Sequence, residues 1–174
     1  MIISAPIPDS YWLLEGRLLA GEYPGANSHE RARVKLDLFL SAGIRSFVDL
    51  TEPSDPLVPY TETLAELARE RGIEYRYTRL GVRDLGVPSR QLMAEILDAI
   101  TAELVDERPL YFHCWGGIGR TGTVAGCWLV EQGLSAEDAL NRINVLRFGS
   151  PDGWKRSPET DEQREFVRSW SRDR

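Results

Sequence analysis

Hydrophobic side chains recur along the chain in two spacings, one typical of helices and the other of strands. Between His29 and Leu40 they fall on one helical face, with Ser28 placed to cap the start and Gly43 to end the helix. The short apolar run from Ile44 to Leu50 then predicts a strand. The same alternation of helix and strand continues along the rest of the chain.

Two more strands and five more helices are expected after this first pair. The predicted strands cover 73–80 and 109–113, and the first four of these helices cover about 59–71, 89–104, 121–132 and 135–147. The last helix is predicted to begin at Pro158 or Glu159, with the proline in its first turn, and to end at Trp170. Strands that alternate with helices of this length favour the α/β class. We expect one domain over 1–174, with a mostly parallel central sheet flanked by helices.

Ligands of such folds bind where the strands end at their carboxyl edge. The loops predicted to follow the strands cover 51–58, 81–88 and 114–120. These three loops are therefore the predicted walls of a functional site.

Composition narrows the class of protein without pointing to a reaction. The chain has 174 residues, 42% of them hydrophobic and 28% charged, which is typical of a globular domain and excludes a collagen-like or largely disordered chain. Its net charge of −6 provides no broad basic surface, so we expect no nucleic-acid partner and only a local anion site. No apolar run approaches the roughly 18 residues of a membrane span, and we expect a cytoplasmic protein.

The number and spacing of the two cysteines limit the roles that they can have. Cys114 and Cys127 cannot make a disulfide framework, and neither has the spacing of a zinc ligand, so no metal is expected. What remains is thiol chemistry or packing in the core.

The segment from His113 to Gly122, with the sequence HCWGGIGRTG, lies between a predicted strand and a predicted helix. Its three glycines between Cys114 and Arg120 allow a tight turn whose N–H groups can all point at one anion. The helix adds its positive N-terminal end, and both effects favour the thiolate of Cys114 as a nucleophile. Arg120 offers a planar fork that matches two phosphate oxygens.

This segment resembles the signature loop of the cysteine-dependent protein tyrosine phosphatases, and the chain length is similar to that of their compact dual-specificity branch. The resemblance implies that Cys114 attacks phosphorus to form a phosphocysteine, while Arg120 stabilises the transition state. It also implies that Thr121 hydrogen-bonds the sulfur and that His113 holds the loop and supports the thiolate. No cofactor is implied, and the residues that bind phosphate would be Trp115, Gly116, Gly117, Ile118, Gly119 and Arg120.

The leaving group needs a proton donor. Asp84, in the loop after a predicted strand, is the first candidate, and its loop looks like the movable acid loop of the family. The alternatives are Asp55, Glu52 and Asp49, which lie in or just before the preceding loop.

The stretch from Ser157 to Val167 is similar to the glutamine-containing segment of classical tyrosine phosphatases, where the first glutamine positions the attacking water. Glu159 stands at that position here, and Gln163 matches the second glutamine. A carboxylate is electrostatically unfavourable beside a phosphate, so the role of holding the water is open: Glu159, Gln163 or neither residue carries it. The alternative is a plain helix cap followed by an amphipathic helix.

Several other residues have a structural and a functional interpretation. We expect Cys127 to be a buried inert thiol, with a reversible disulfide to Cys114 as the alternative, and His29 to be solvated. Trp154, Lys155 and Arg156 either flank the substrate entrance or belong to a solvated loop.

The leading hypothesis is a phosphomonoester hydrolase that acts on phosphotyrosine in proteins, with phosphoserine and phosphothreonine as further substrates. A phosphoinositide or inositol-phosphate phosphatase is an alternative, although no cation lies between Cys114 and Arg120 for a polyanion. An arsenate-reductase-like enzyme would need Cys127 as a resolving thiol. A silent phosphopeptide-binding module would lack the cysteine or the arginine. The oligomeric state is open.

Overall fold

The computed structural model describes residues 4–172 and contains one five-stranded sheet flanked by helices. The strands are β1 (Ser10–Leu14), β2 (Leu18–Gly21), β3 (Ser46–Asp49), β4 (Arg76–Arg79) and β5 (Leu110–His113). Their order across the sheet is β1-β2-β5-β3-β4, and only β1 pairs in the antiparallel direction. The predicted α/β class with a mostly parallel sheet is confirmed.

Six helices connect and cover these strands. They are α1 (His29–Ser41), α2 (Thr61–Arg71), α3 (Arg90–Val105), α4 (Arg120–Glu131), α5 (Ala136–Arg147) and α6 (Asp161–Arg168). The predicted serine caps are all present, because Ser28, Ser89 and Ser135 each accept a backbone N–H in the first turn of their helix. Gly72 ends α2 in the left-handed conformation, as predicted.

The predicted start and end of the last helix were wrong. Pro158 and Glu159 lie before α6, which begins after Thr160 and ends at Arg168 instead of Trp170. Thr160 and Gln163 form a reciprocal capping box, and this local pair sets the start more strongly than a nearby proline does.

The hairpin of β1 and β2 was absent from the sequence prediction. The two strands are four to five residues long, and β2 is buried along its whole length because it lies between β1 and β5. Such a strand shows no alternation of polar and apolar residues, so the pattern offered no signal.

Side chains that alternate along the strands divide the core into two layers. Phe47 and Tyr111 pack with α1 and α2 on one face, whereas Val48 and Phe112 pack with α3, α4, α5 and α6 on the other. Because β3, β4 and β5 run parallel, the loops that follow them meet at one edge of the sheet. The sequence analysis predicted the functional site at this edge.

Candidate active site

The loop between β5 and α4 forms the floor of a cavity at this edge. Cys114 follows β5 directly and is only 3% exposed. Gly117 has φ +70°, and a Cβ at this residue would lie 2.5 Å from the backbone carbon of Gly21 in β2. Only glycine satisfies both conditions, because L side chains rarely adopt this φ and β2 leaves no room for one. We call residues 114–120 the phosphate loop, after the ligand that the sequence analysis predicts for it.

Helix α4 begins at this loop. Its N-cap residue, Gly119, has no side chain that could accept the first N–H groups, which have no acceptor within the helix either. Ser157 is completely buried and donates its hydroxyl to the carbonyl oxygen of Ile118 (2.7 Å), which fixes the loop against the segment before α6. The helix start therefore favours an anion in the cavity.

Arg120 makes hydrogen bonds at one end of its guanidinium only, and its other end lies beside the carboxylate of Asp84 without an aligned hydrogen bond. Its Nη1 donates to Oδ2 of Asp55 (2.7 Å) and to the carbonyl oxygen of Val82 (2.9 Å). Its buried Nε and Nη2 have no hydrogen-bond acceptor in the described part of the chain. Buried donors of this kind are rare, and two of them on one guanidinium match two oxygens of a phosphate.

Charged neighbours keep this arginine protonated despite its burial. The side chain is 1% exposed. Burial opposes the charged form, but Cys114, Asp55 and Asp84 outweigh it, so the pKa of Arg120 lies above its ordinary value. The site thus holds a permanent positive charge beside the cysteine.

Asp84 extends into the cavity from the turn 83–86, in the loop after β4. Its Oδ1 lies 3.1 Å from Nη2 of Arg120, as an ion pair outside hydrogen-bonding alignment. The side chain is 48% exposed. Asp84 lines the same cavity as Cys114 and can exchange protons with solvent, as a proton donor must.

The alternative acids lie elsewhere or have other partners. Asp49 is completely buried, and its carboxylate accepts hydrogen bonds from Thr51, Tyr77 and Arg79. Burial raises its pKa, but His113 and the donors from Thr51 and Tyr77 lower it further, so the net pKa is below the ordinary value. Asp55 faces Arg120, and Glu52 supplies a backbone N–H to Asp55. These contacts favour Asp84 as the acid.

His113 is completely buried at the end of β5 and joins the cavity floor to the core. Its Nδ1 donates to the carbonyl oxygen of Cys114 (3.1 Å), and its Nε2 accepts from the hydroxyl of Tyr60 (2.7 Å). This tautomer follows from the acceptor at Nδ1. Burial lowers the pKa of His113 to about 4, so the ring is neutral and positions the backbone of Cys114.

We expect acid to destabilise the fold through His113. From the ordinary histidine value of 6.5 down to about 4, the unfolded chain binds a proton at this residue and the folded chain does not. Stability is therefore lost as the pH falls through this range, by up to about 1.4 kcal/mol per pH unit. Urea unfolding near pH 7 and near pH 5 measures the loss, which His113→Asn should reduce. His29→Gln, at an exposed histidine, should leave it unchanged. An equal loss in all three proteins would contradict the assignment.

Thr121 does not make the contact that the resemblance implied. Its hydroxyl donates to the carbonyl oxygen of Gly21 (3.3 Å), and a hydroxyl has one proton to donate. The sulfur contact of this residue stays a prediction. In the present conformation Thr121 joins α4 to β2.

The cavity has a volume of about 240 Å³ and one wall formed by the segment before α6. It is lined by Asp84, Leu85, Cys114, Trp115, Gly116, Ile118, Gly119, Arg120, Asp152, Lys155 and Glu159. The sequence analysis did not single out Leu85 or Asp152, because only the tertiary fold brings them to the phosphate loop. Gln163 is completely buried behind Gly119, where a Cβ on that glycine would lie 3.0 Å from its amide.

The remaining residues singled out in the sequence divide between core and surface. Cys127 is completely buried, and burial raises the pKa of its thiol, as expected for an inert core cysteine. Lys155 pairs with Asp152 at the entrance, whereas Arg156 pairs with Asp161 outside the cavity, and Trp154 is exposed. Within residues 4–172 no cluster of metal-ligating side chains occurs, and none of the helices there has the length and apolar character of a membrane span.

The amino-acid sequence is similar to known phosphatases. A family described as the DSP-PTPase phosphatases of polymorphic toxin systems matches residues 25–134. The protein tyrosine phosphatase domain-containing protein 1 of Mus musculus is 27% identical over 81% of this chain, and the tyrosine-protein phosphatase cdc-14 of Caenorhabditis elegans is 25% identical over 94%. The chain spans about a fifth of the length of these two relatives, 19% and 22%.

Solved structures agree on the fold and differ in their ligands. The active form of Tk-PTP superimposes with a TM-score of 0.68 at 26% identity, over 92% of this chain and 94% of that one. The same fold occurs in Pseudomonas TpbA with phosphotyrosine, at 18% identity and a TM-score of 0.67, covering 96% of this chain and 87% of TpbA. It also occurs in PTPMT1 with PI(5)P, at 20% identity and a TM-score of 0.63, covering 91% of this chain and 92% of that one. The fold alone therefore does not select a substrate.

Proposed function

The chain belongs to the DSP-PTPase phosphatases, within the cysteine-based protein tyrosine phosphatase superfamily, and from this premise we propose that it hydrolyses single phosphomonoesters on proteins, phosphotyrosine above all. One observation carries the proposal. The buried Arg120 has two donor nitrogens without an acceptor in the described chain, and it lines the same cavity as Cys114. A phosphate that fills this cavity satisfies both nitrogens and meets the sulfur.

The first step transfers the phosphoryl group to the enzyme. The sulfur of Cys114 attacks phosphorus, an S–P bond forms, and the bond from phosphorus to the phenolic oxygen breaks. Asp84 gives its proton to that oxygen, so the substrate leaves as a neutral phenol. Arg120 and the start of α4 bind the equatorial oxygens, on which charge accumulates in the transition state.

Binding of the substrate prepares Asp84 for this role. Without substrate, its carboxylate lies beside Nη2 of Arg120. A bound phosphate occupies that nitrogen, and the negative charge of the phosphate favours the protonated carboxyl. The proton is then available where the leaving group sits.

The second step releases phosphate. Water attacks the phosphocysteine and transfers a proton to Asp84, the S–P bond breaks, and the thiolate of Cys114 is restored with inorganic phosphate as the product. Glu159 lines the cavity and reaches toward Gly119, with its Oε2 3.2 Å from the position of a Cβ on that glycine. A role of Glu159 in positioning the water is part of this proposal.

The charges around the entrance favour substrates with one phosphate. Asp84, Asp152 and Glu159 line the cavity, and Lys155, the cation that joins Arg120 among the described lining residues, pairs with Asp152 (2.9 Å). A polyphosphate would bring further negative charge against these carboxylates. Trp115 (44% exposed) and Leu85 (54% exposed) offer apolar surface to a phenyl ring.

A substrate panel tests this selectivity. We expect kcat/KM for a phosphotyrosyl peptide to exceed that for PI(5)P and for inositol hexakisphosphate by at least about tenfold, because like charges at the rim repel the polyanions. Initial rates of phosphate release at equal ionic strength measure it. Hydrolysis of a polyanion at the faster rate would replace this proposal with the phosphoinositide or inositol-phosphate alternative.

Two matched variants test the electrostatic cause. Asp152→Asn removes the ion-pair partner of Lys155. It should lower the ratio of kcat/KM for the phosphotyrosyl peptide to kcat/KM for the polyanions. Asp161→Asn makes the same charge change at an exposed residue outside the cavity and should leave the ratio unchanged. The same kcat/KM ratio in both variants would contradict the proposal that charges at the cavity entrance select against polyanions.

A further inference from the structure

We propose that Gln163 is a positioning residue that holds the acid loop, residues 81–88, in register with the phosphate loop. The inference rests on the proposed function, because it concerns the proton that Asp84 delivers. It assigns Gln163 a task other than holding the water.

The side-chain amide of Gln163 is already engaged by protein on both ends. Its Oε1 accepts the backbone N–H groups of Glu159 and Thr160 (3.1 Å each), and its Nε2 donates to the carbonyl oxygen of Gly86 (3.0 Å). The residue is completely buried. A buried amide in these contacts is a fixed link between α6 and the acid loop.

Gly86 is the residue through which this link reaches Asp84. Its N–H donates to the carbonyl oxygen of Arg83 (3.0 Å), which closes the turn that carries Asp84 and Leu85. Leu85 has φ +60°, a conformation that a leucine adopts only where its surroundings impose it. The bond from Gln163 to Gly86 supplies such a constraint from outside the turn.

The same amide also lies against the phosphate loop. A Cβ on Gly119 would lie 3.0 Å from both Nε2 and Oε1 of Gln163. One side chain thus contacts the acid loop, the phosphate loop and the start of α6. Its loss should shift Asp84 relative to Cys114, and shifts of about 1 Å can cost two orders of magnitude in rate.

The dependence on the leaving group separates a positioning role from a purely structural one. Proton donation matters little for p-nitrophenyl phosphate, whose leaving group is a good one, and much for phenyl phosphate, whose phenol has a pKa near that of tyrosine, about 10. The readout is the ratio of kcat/KM for the two substrates. Asp84→Asn sets the expected sign, because its loss should be far larger on phenyl phosphate.

Gln163→Met fills a similar volume without hydrogen bonds to the acid loop. We expect kcat/KM on phenyl phosphate to fall about tenfold to a hundredfold and kcat/KM on p-nitrophenyl phosphate less than about fivefold. Thr160→Ala is the matched control, since it removes the hydroxyl half of the same capping box and leaves the bond to Gly86 in place. This control should leave the ratio unchanged, with thermal unfolding recorded for every variant.

Equal losses of Gln163→Met on both substrates, or a changed ratio in Thr160→Ala, would overturn the proposal. If Gln163→Met does not fold, Gln163→Glu decides, because its carboxylate still accepts both N–H groups but cannot donate to Gly86. Its added charge lowers both rates, so an unchanged ratio in Gln163→Glu would also overturn the proposal. Failure of the wild-type protein on both substrates would instead count against the proposed function.

Discussion

Replacement of Cys114 by serine should abolish hydrolysis of p-nitrophenyl phosphate while leaving the fold intact. The serine hydroxyl at this position is a far weaker nucleophile than a thiolate, and His113 does not act as its base, because its Nε2 already accepts from Tyr60 and its Nδ1 donates to the backbone. Loss of a nucleophile in comparable enzymes costs about 10⁴ to 10⁶ in kcat. Continuous detection of p-nitrophenolate, with reductant and without added metal, measures the loss.

Cys127→Ser is the matched control for this variant. It changes the other cysteine, which is buried in the core and does not line the cavity, so it should lower stability and retain the rate. Wild-type and Cys114→Ser proteins with equal activity would show that another group carries the reaction. Loss of activity in Cys127→Ser at a temperature where the variant remains folded would favour the alternative of a redox role for Cys114 and Cys127.

Arg120→Lys is the second change with a large expected effect. Lysine keeps a positive charge near Asp55, so that carboxylate is not left without a cation, as it would be with alanine. It cannot supply the two donors that Nε and Nη2 offer to phosphate. We expect kcat/KM to fall by about 10³, with kcat falling as well as KM rising, because these contacts strengthen in the transition state.

Arg83→Lys makes the same substitution on the acid loop, at an exposed arginine that does not line the cavity. Its kcat/KM should stay within a factor of about two, as is usual for surface changes. An Arg120→Lys variant that matched this control would contradict the assignment of Arg120. Binding of vanadate, which mimics the transition state, measures the loss of transition-state stabilisation, and thermal unfolding of both variants shows separately whether the fold is retained.

The geometry of the site depends on contacts between residues that lie far apart in the sequence. Asp55 and Arg120 are 65 residues apart in sequence, and Gln163 and Gly86 are 77 apart. The first contact orients the guanidinium, and the second fixes the turn that carries the proposed acid. Both converge on the cavity from loops that the parallel sheet brings to one edge.

Much of the architecture was predictable because its signals are local. Helix starts at Ser28, Ser89 and Ser135 depend on a side chain bonding an N–H three residues away, and the apolar spacing of a helix is set within a few turns. The same locality explains one correction. The start of α6 depends on the pair of Thr160 and Gln163, which competes with the proline signal nearby.

The order of amino acids was enough to predict the α/β class, the order of most elements and the approach of Cys114 and Arg120 across a glycine-rich turn, because these signals depend on local patterns and on covalent spacing. The folded chain was needed to show that β2 lies beside β5, that Asp55 is bound to Arg120, and that the amide of Gln163 is bound to Gly86. Those outcomes depend on which loops the folded sheet brings within hydrogen-bonding distance. Burial and the resulting demand for hydrogen-bond partners, rather than local conformational preference, then select the contacts.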